Sequence, residues 1–168
     1  MPIRINLGCG KQYLEGWINC DIVTDVKADK HFDFDVFPYP FEAGCADEIF
    51  MDNVLEHLKN LLASMAEFHR ILKPGGVLKI RVPYAKSDWA FQDPTHRHFF
   101  TERSMDYYPE DFAFNFYVRF RFKLVKAELT AGNTTFRHHL RNLIPFRSVL
   151  RYFLFNLYDG VDFELVKI

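Results

Sequence analysis

Apolar residues in this chain fall into short runs closed by Gly, Pro or acidic residues, which is the rhythm of strands entering turns. Ile3 to Leu7 is one such run, closed by Gly8, and reads as a buried strand ending in a tight turn. Trp17 to Ile22 is a second short strand that ends on an acid, Asp21. A third strand is expected somewhere within Asp25 to Val36, followed by a turn at Pro38 and Pro40, and Ala46 to Met51 is a fourth. Asn53 then resembles a helix cap, with Glu56 three residues on as in a capping box. Leu61, Leu62, Met65, Phe68, His69 and Leu72 follow at helical spacing. Lys73-Pro74-Gly75-Gly76 ends that helix, because Pro lacks a donor and Gly tolerates positive φ. Val77 to Val82 alternates as a strand up to Pro83.

The pattern loosens after Pro83, with an irregular stretch to about Phe100 that is rich in charge, His and aromatics. Glu102 to Tyr108 is expected as a short helix and Tyr117 to Thr130 as a long half-buried strand. Arg137 to Tyr158 is helical in pattern and broken near Pro145, with Phe146, Val149, Leu150, Phe153, Leu154 and Leu157 on one face. Val161 to Ile168 is a last strand, close enough in sequence to pair antiparallel with Tyr117 to Thr130. Strand, turn and helix in alternation predict an α/β domain with a mainly parallel sheet.

Composition narrows the class. The 168 residues suit one domain, and 49% apolar content with a net charge of −1 excludes a disordered chain. No apolar run is long enough for a membrane-spanning helix, and the N-terminal residues lack a secretion-signal pattern. Cys9, Cys20 and Cys45 form an odd, scattered set without metal or CxxC spacing, so a reduced, cytoplasmic protein is expected. Charge is uneven: ten acids face two lysines from Asp21 to Glu56, whereas eight Lys and Arg face one Glu from Tyr117 to Tyr158. Two readings stay open. The regions attract each other or simply solvate their own faces, or the basic, aromatic part meets an anionic substrate, a nucleic acid or a membrane.

Candidate chemistry starts at Asn6-Leu7-Gly8-Cys9-Gly10, where two glycines after a strand let a nucleotide-like ligand approach the backbone. Asp21 ends the next strand eleven residues beyond Gly10 and suits the two hydroxyls of a ribose. A nicotinamide dinucleotide is disfavoured, since that spacing is usually about 20 residues and Tyr13 stands where the third glycine belongs.

With Gly16-Trp17-Ile18-Asn19-Cys20-Asp21, Phe37-Pro38-Tyr39-Pro40-Phe41, Asp47-Glu48-Ile49, Val54-Leu55-Glu56-His57-Leu58 and Leu72-Lys73-Pro74-Gly75-Gly76, the chain resembles the class I S-adenosylmethionine-dependent methyltransferases over about residues 3 to 108. The resemblance implies a Rossmann-like, doubly wound, seven-stranded and mainly parallel sheet whose last strand is antiparallel. It also implies S-adenosylmethionine as cofactor, with S-adenosylhomocysteine as product. Gly8, Cys9 and Gly10 correspond to the turn against the methionine part, and Asp21 with Ile22 to the ribose end. Asp33 and Phe34 correspond to the pair beside adenine, although Asp33 also reads as a solvated loop acid. Asn53 corresponds to the strand end that faces cofactor and acceptor. One departure is visible: residues 11 to 16 leave no room for the family's first helix, which is therefore reduced or missing. A single domain, 1–168, is expected, with a cofactor-binding core (1–108) and an aromatic, basic part (109–168) holding two strands and a helical insertion. Phe112 to Tyr158 would supply a cover, an acceptor wall or a dimer surface.

Methyl transfer requires an acceptor to be positioned and, for oxygen or nitrogen, one proton to be removed. The catalytic candidates are His98, His96, Asn53 and His57, with Glu56 and Asp93 nearby in sequence. Glu56-His57 with His96-Arg97-His98-Phe99 is also similar to the metal-dependent small-RNA 2′-O-methyltransferases, which implies Glu56, His57, His96 and His98 as divalent-ion ligands. Asn53 stands where those enzymes have a further Glu, so no metal is expected. The expected function is methyl transfer to an O or N atom of a small-molecule acceptor. The alternatives are a non-catalytic cofactor-binding or interaction protein of the same fold, and an RNA methyltransferase using the basic C-terminal third. A pI of 6.6 does not favour nucleic acid, and a homodimer through the aromatic segment is the expected assembly.

Overall fold

The computed structural model describes residues 1–110, 113, 115–132 and 136–168, without the side chains of Asn115 and Arg137, so Phe112 and the Arg137 charge lie outside the described part. Seven strands form one sheet: β1 (Arg4–Leu7), β2 (Ile18–Asp21), β3 (Lys30–His31), β4 (Ala46–Asp52), β5 (Leu72–Pro83), β6 (Phe122–Thr130) and β7 (Gly160–Lys167), in the order β3-β2-β1-β4-β5-β7-β6. Strands β1 to β5 pair in parallel, and β7 runs antiparallel to both β5 and β6. This is the Rossmann-like sheet with an antiparallel last strand that the resemblance implied. Strand order reverses between β1 and β4, and in open sheets a ligand crevice forms at the carboxyl ends of strands at such a point.

Alternation along the strands decides where the core sits. Ile5, Leu7, Ile49, Met51, Leu78, Ile80, Phe163 and Leu165 are cross-strand partners on one face and are all buried. Helix α1 (Leu61–Ile71) packs on that face with Met65, Phe68 and Ile71. The opposite face is charged. Lys79 pairs with Glu48 at 2.7 Å, and Arg81 lies between Asp52 and Asp162 at 3.8 and 3.5 Å. Paired charges across strands let this half-exposed face stand in water.

No helix occurs from β1 to β4, so the first helix is missing, as the spacing required. A polar plug replaces it. Asn6 and Asn19, both buried, are register partners, and the Asn6 amide donates to Asn19 Oδ1 at 2.9 Å and to the Gln12 carbonyl at 2.9 Å. Asn19 also accepts from the Leu14 N–H and donates to the carbonyls of Leu14 and Trp17. Two asparagines thus satisfy the backbone of a loop too short to satisfy itself by helical bonds.

Strands β5 and β6 start at Leu72 and Phe122 rather than at Val77 and Tyr117, which lies in a 3₁₀ turn, and local expectations fail at three further places. The capping box at Asn53 and Glu56 does not form: Asn53 takes a left-handed φ of 54°, Leu55–His57 makes one 3₁₀ turn, and α1 starts later with Asn60 Oδ1 accepting from the Ala63 N–H. Glu102 to Tyr108 is a 3₁₀ turn at Ser104–Tyr107, after the short helix α2 (Asp88–Gln92). The helical stretch after β6 divides into α3 (Phe136–Asn142) and α4 (Arg147–Leu150), and of its expected apolar face only Leu157 is buried. The break at Pro145 and an α4 of only four residues deny those side chains a common buried stripe.

Candidate active site

The turn after β1 is closed by backbone. The N–H groups of Gly8 and Cys9 both donate to the Cys20 carbonyl, at 2.8 and 3.0 Å. Gly8 has φ +69°, and a Cβ there would lie 2.2 Å from Val54 Cγ2, so no other residue fits. Asp21, 6% exposed, accepts from the Gly10 N–H at 2.7 Å and from the Val23 N–H at 2.9 Å. A carboxylate offers about four acceptor sites, so both oxygens keep capacity for a ligand.

Six of the eight residues expected at the cofactor come together around one cavity of about 300 Å³: Gly8, Asp21, Ile22, Asp33, Phe34 and Asn53 line it. Cys9 does not. Its Sγ faces the Lys27 carbonyl at 3.5 Å behind the turn, where burial pushes the thiol pKa up. Gly10 acts through its N–H on Asp21. Asp35, Val54, His57 and Leu58 also line the cavity. The wall bearing Asp33 and Phe34 is braced from below. The Tyr39 hydroxyl donates to the Phe34 carbonyl at 2.7 Å, and Glu67 accepts from the Tyr39 N–H at 2.7 Å and from Arg70 at 2.6 Å. Burial works against the Glu67 charge, but these donors outweigh it and hold its pKa below the usual value.

Asn53 also lines two further cavities of about 270 Å³ each. One is shared with His57, Trp89, Gln92, Asp93 and His96, the other with Asp52, Arg81, Trp89, Asp159 and Asp162. Trp89 and Asp52 were missed from sequence. The signal for Trp89 was available: a lone Trp in the irregular stretch after the β5 end. For Asp52 the only hint was its place next to Asn53 at a strand end.

Glu56, His57 and His96 meet here, with one ligand atom of each within 4.8 Å of the others. Glu56 is fully buried, both its oxygens lack a hydrogen-bond partner, and desolvation pushes its pKa up to about 7. The Thr95 hydroxyl donates to Asp93 Oδ1 at 2.6 Å, so at 2.9 Å it accepts from His57 Nδ1. His96 Nδ1 donates to the Ala90 carbonyl at 2.9 Å, and its Nε2 lies 3.9 Å from Glu56 Oε1. Both imidazoles therefore keep an Nε2 lone pair. Burial, with His96 beside it, pushes the His57 pKa down. His98 is not part of this group. Its Nε2 donates to the Leu58 carbonyl at 2.8 Å, so among the described residues His98 ties its segment to Leu58 and does not join Glu56, His57 and His96 as a ligand.

Residues 6–80 match the family model described as a methyltransferase domain. The fold is similar to a SAM-dependent methyltransferase from Archaeoglobus fulgidus, with 19% identity, 99% of this chain and 86% of that one covered, and a TM-score of 0.66. It is also similar to the methyltransferase solved in complex with the Haloferax volcanii Trm112 methyltransferase activator (16% identity, 99% and 82% covered, TM-score 0.63). A third likeness is to an S-adenosylmethionine-dependent methyltransferase from Mesorhizobium loti (11% identity, 98% and 90% covered, TM-score 0.61). No curated protein matches the chain in sequence. The matched stretch and the fold agree on a methyltransferase-type architecture. Over residues 6–80 the chain is similar to the methyltransferase domain family, and its fold is the one these S-adenosylmethionine-dependent methyltransferases share.

Proposed function

We propose that the protein transfers the methyl group of S-adenosylmethionine to an oxygen or nitrogen atom of a small-molecule acceptor held at Asn53. One observation carries this reading: Asn53 lines the cavity built by Gly8 and Asp21 as well as both cavities beyond it. In-line displacement needs the acceptor atom about 3–3.5 Å from the methyl carbon, and a side chain at the junction of donor and acceptor space can impose that distance. The S–CH₃ bond breaks as the new bond to O or N forms, S-adenosylhomocysteine leaves, and the acceptor loses one proton. His57 is the group placed to take it, since it lines both the cofactor-side cavity and its neighbour and its Nδ1 is committed to Thr95. Asp52, Asp93 and Asp162 around the acceptor cavities, against Arg81, favour a neutral or cationic acceptor over a polyanion such as RNA.

A second reading is favoured by the two unpartnered oxygens of Glu56. Glu56, His57 and His96 form a donor set that fits a first-row divalent ion. When bound, such an ion supplies a Lewis acid that lowers the pKa of an acceptor hydroxyl. Both readings are tested by calorimetry with S-adenosylhomocysteine and by transfer of labelled methyl to a panel of small alcohols and amines. Binding together with label transfer that Asn53→Ala lowers at least tenfold is expected. A protein that binds neither S-adenosylmethionine nor S-adenosylhomocysteine overturns the proposal.

A further inference from the structure

We infer that the insertion between β6 and β7 is a docking face for an anionic membrane surface, from which an amphiphilic acceptor reaches Asn53. Helices α3 and α4 are only seven and four residues long, and α4 buries none of its residues. Leu143, Phe146 and Phe153 are 78, 79 and 80% exposed, and Phe136, Val149 and Tyr152 also face water. Single exposed apolar residues are ordinary on a soluble protein, whereas this many in one short segment mark an interaction surface. The patch continues onto α2 and the segment after it, where Phe91 stacks on Phe99 at 4.7 Å and lies 6.2 Å from Phe155.

Charge selects the occupant. No acidic residue occurs between Glu128 and Asp159. Arg141 and Arg151 are neutralised by Asp159 and Glu102, but among the described residues Arg147 and Lys86 make no ion pair. Arg147 donates to Asn142 Oδ1 and lies over the Tyr158 ring at 4.6 Å, and Lys86 Nζ donates to the carbonyls of Arg151 and Tyr152. A symmetric dimer would set this patch against an identical one, which offers Arg147 and Lys86 no acidic partner from residues 129–158, so a second chain fits it poorly. A bilayer containing anionic lipid matches both features. It offers apolar depth to Phe146 and Phe153 and phosphates to Arg147 and Lys86.

The face also leads to the site. A groove of about 650 Å³ is walled by Ile144, Leu154, Phe155 and Leu157, and it shares Trp89 and Asp159 with the cavity that reaches Asn53. An apolar chain in the groove would place a polar head at the methyl. This last step rests on the methyltransferase reading; the docking itself does not.

The test is flotation of the full-length chain with vesicles of phosphatidylcholine alone and with a quarter phosphatidylglycerol. Binding to the anionic vesicles is expected to weaken at least ~10-fold in the Phe146→Asp/Phe153→Asp double variant and to fall with added salt. Both side chains are exposed, so circular dichroism and S-adenosylhomocysteine affinity should match the parent protein. Failure to bind either vesicle overturns the inference, as does binding indifferent to the double substitution. So does sedimentation showing a dimer that the double variant dissolves. Loss of S-adenosylhomocysteine binding in the parent protein would count against the enzyme reading instead and leave the vesicle result standing.

Discussion

Asp21 Oδ2 accepts the Gly10 N–H at 2.7 Å, so the acid that ends β2 clamps the turn that ends β1. The same carboxylate holds the Val23 N–H and faces the cofactor-side cavity. Asp21→Ala is therefore expected to do two things at once. Loss of the charge-assisted contacts to a ribose should weaken S-adenosylhomocysteine binding at least tenfold, about 1.5–3 kcal/mol. The two orphaned N–H groups should lower unfolding free energy by about 1–3 kcal/mol. Calorimetry and urea denaturation separate the two, and unchanged affinity would refute the ribose assignment.

Gly8 and Val54 make a second such pair. Gly8→Ala adds a methyl 2.2 Å from Val54 Cγ2 on a backbone with φ +69°. Overpacking of about 1–3 kcal/mol and left-handed strain of about 1–2 kcal/mol are expected together. Adding Val54→Ala should recover the first part and leave the second. A double variant as unstable as Gly8→Ala in urea would show that steric contact is not the cause.

Glu67 ties α1 to the wall of the cofactor-side cavity through the Tyr39 N–H and Arg70. Its folded pKa lies below the ordinary 4.5 because these donors outweigh the cost of its burial. The stabilisation is thus fully present above about pH 4.5 and is lost as pH falls through the lower, folded value. Glu67→Gln should cost about 1–2 kcal/mol at pH 7 and flatten the loss of stability on acidification below pH 4.5. Parallel stability curves for the two proteins through that range would contradict the assignment.

Most of the sheet was legible because its strands are fully buried on one face, which writes Ile5, Leu7, Ile49, Met51, Leu78 and Ile80 into the sequence as period-two runs. The missing first helix was legible for a simpler reason, the lack of residues to build it. What replaced it was not. The Asn6 and Asn19 pair becomes a plug only through register between two strands, a relation no local pattern carries. At Asn53 a capping pattern competed with a left-handed strand exit, and tertiary placement of Glu56 beneath the Arg97 segment prevailed: the Glu56 carbonyl accepts the N–H groups of Arg97 and His98. His96 and His98 were indistinguishable in sequence, since two residues apart in an extended segment point the same way only if no turn intervenes. Here His96 closes a turn, its N–H on the Asp93 carbonyl, whereas His98 lies in the segment after it with its N–H on the Glu56 carbonyl.

That distinction gives a contrast between histidines. His57→Gln should lower turnover about 10²–10⁴-fold if His57 removes the acceptor proton. His98→Ala should cost stability, about 1 kcal/mol for its bond to the Leu58 carbonyl, with turnover within a few-fold of the parent. A larger loss of kcat in His98→Ala than in His57→Gln would reverse the assignment.

Glu56 presents two buried, unpartnered oxygens to His57 and His96, whose Nδ1 atoms are already committed. Three sets of lone pairs facing one another are reconciled by a proton or by a divalent cation, and only the cation has a stoichiometry that calorimetry can read. In a filled site with bonds of about 2.1 Å the ligand atoms would stand about 3.0–3.4 Å apart, so modest side-chain closure from the present spread is needed. Titration with Mn²⁺ or Zn²⁺ should show one ion per chain. Glu56→Ala should abolish it, and Thr95→Val, which removes the partner orienting His57, should weaken it about 10–100-fold. His98→Ala should bind as the parent does. No heat with either ion at millimolar concentration would dismiss the metal and leave Glu56 neutralised by a proton, a state that Glu56→Gln would then reproduce without loss of stability.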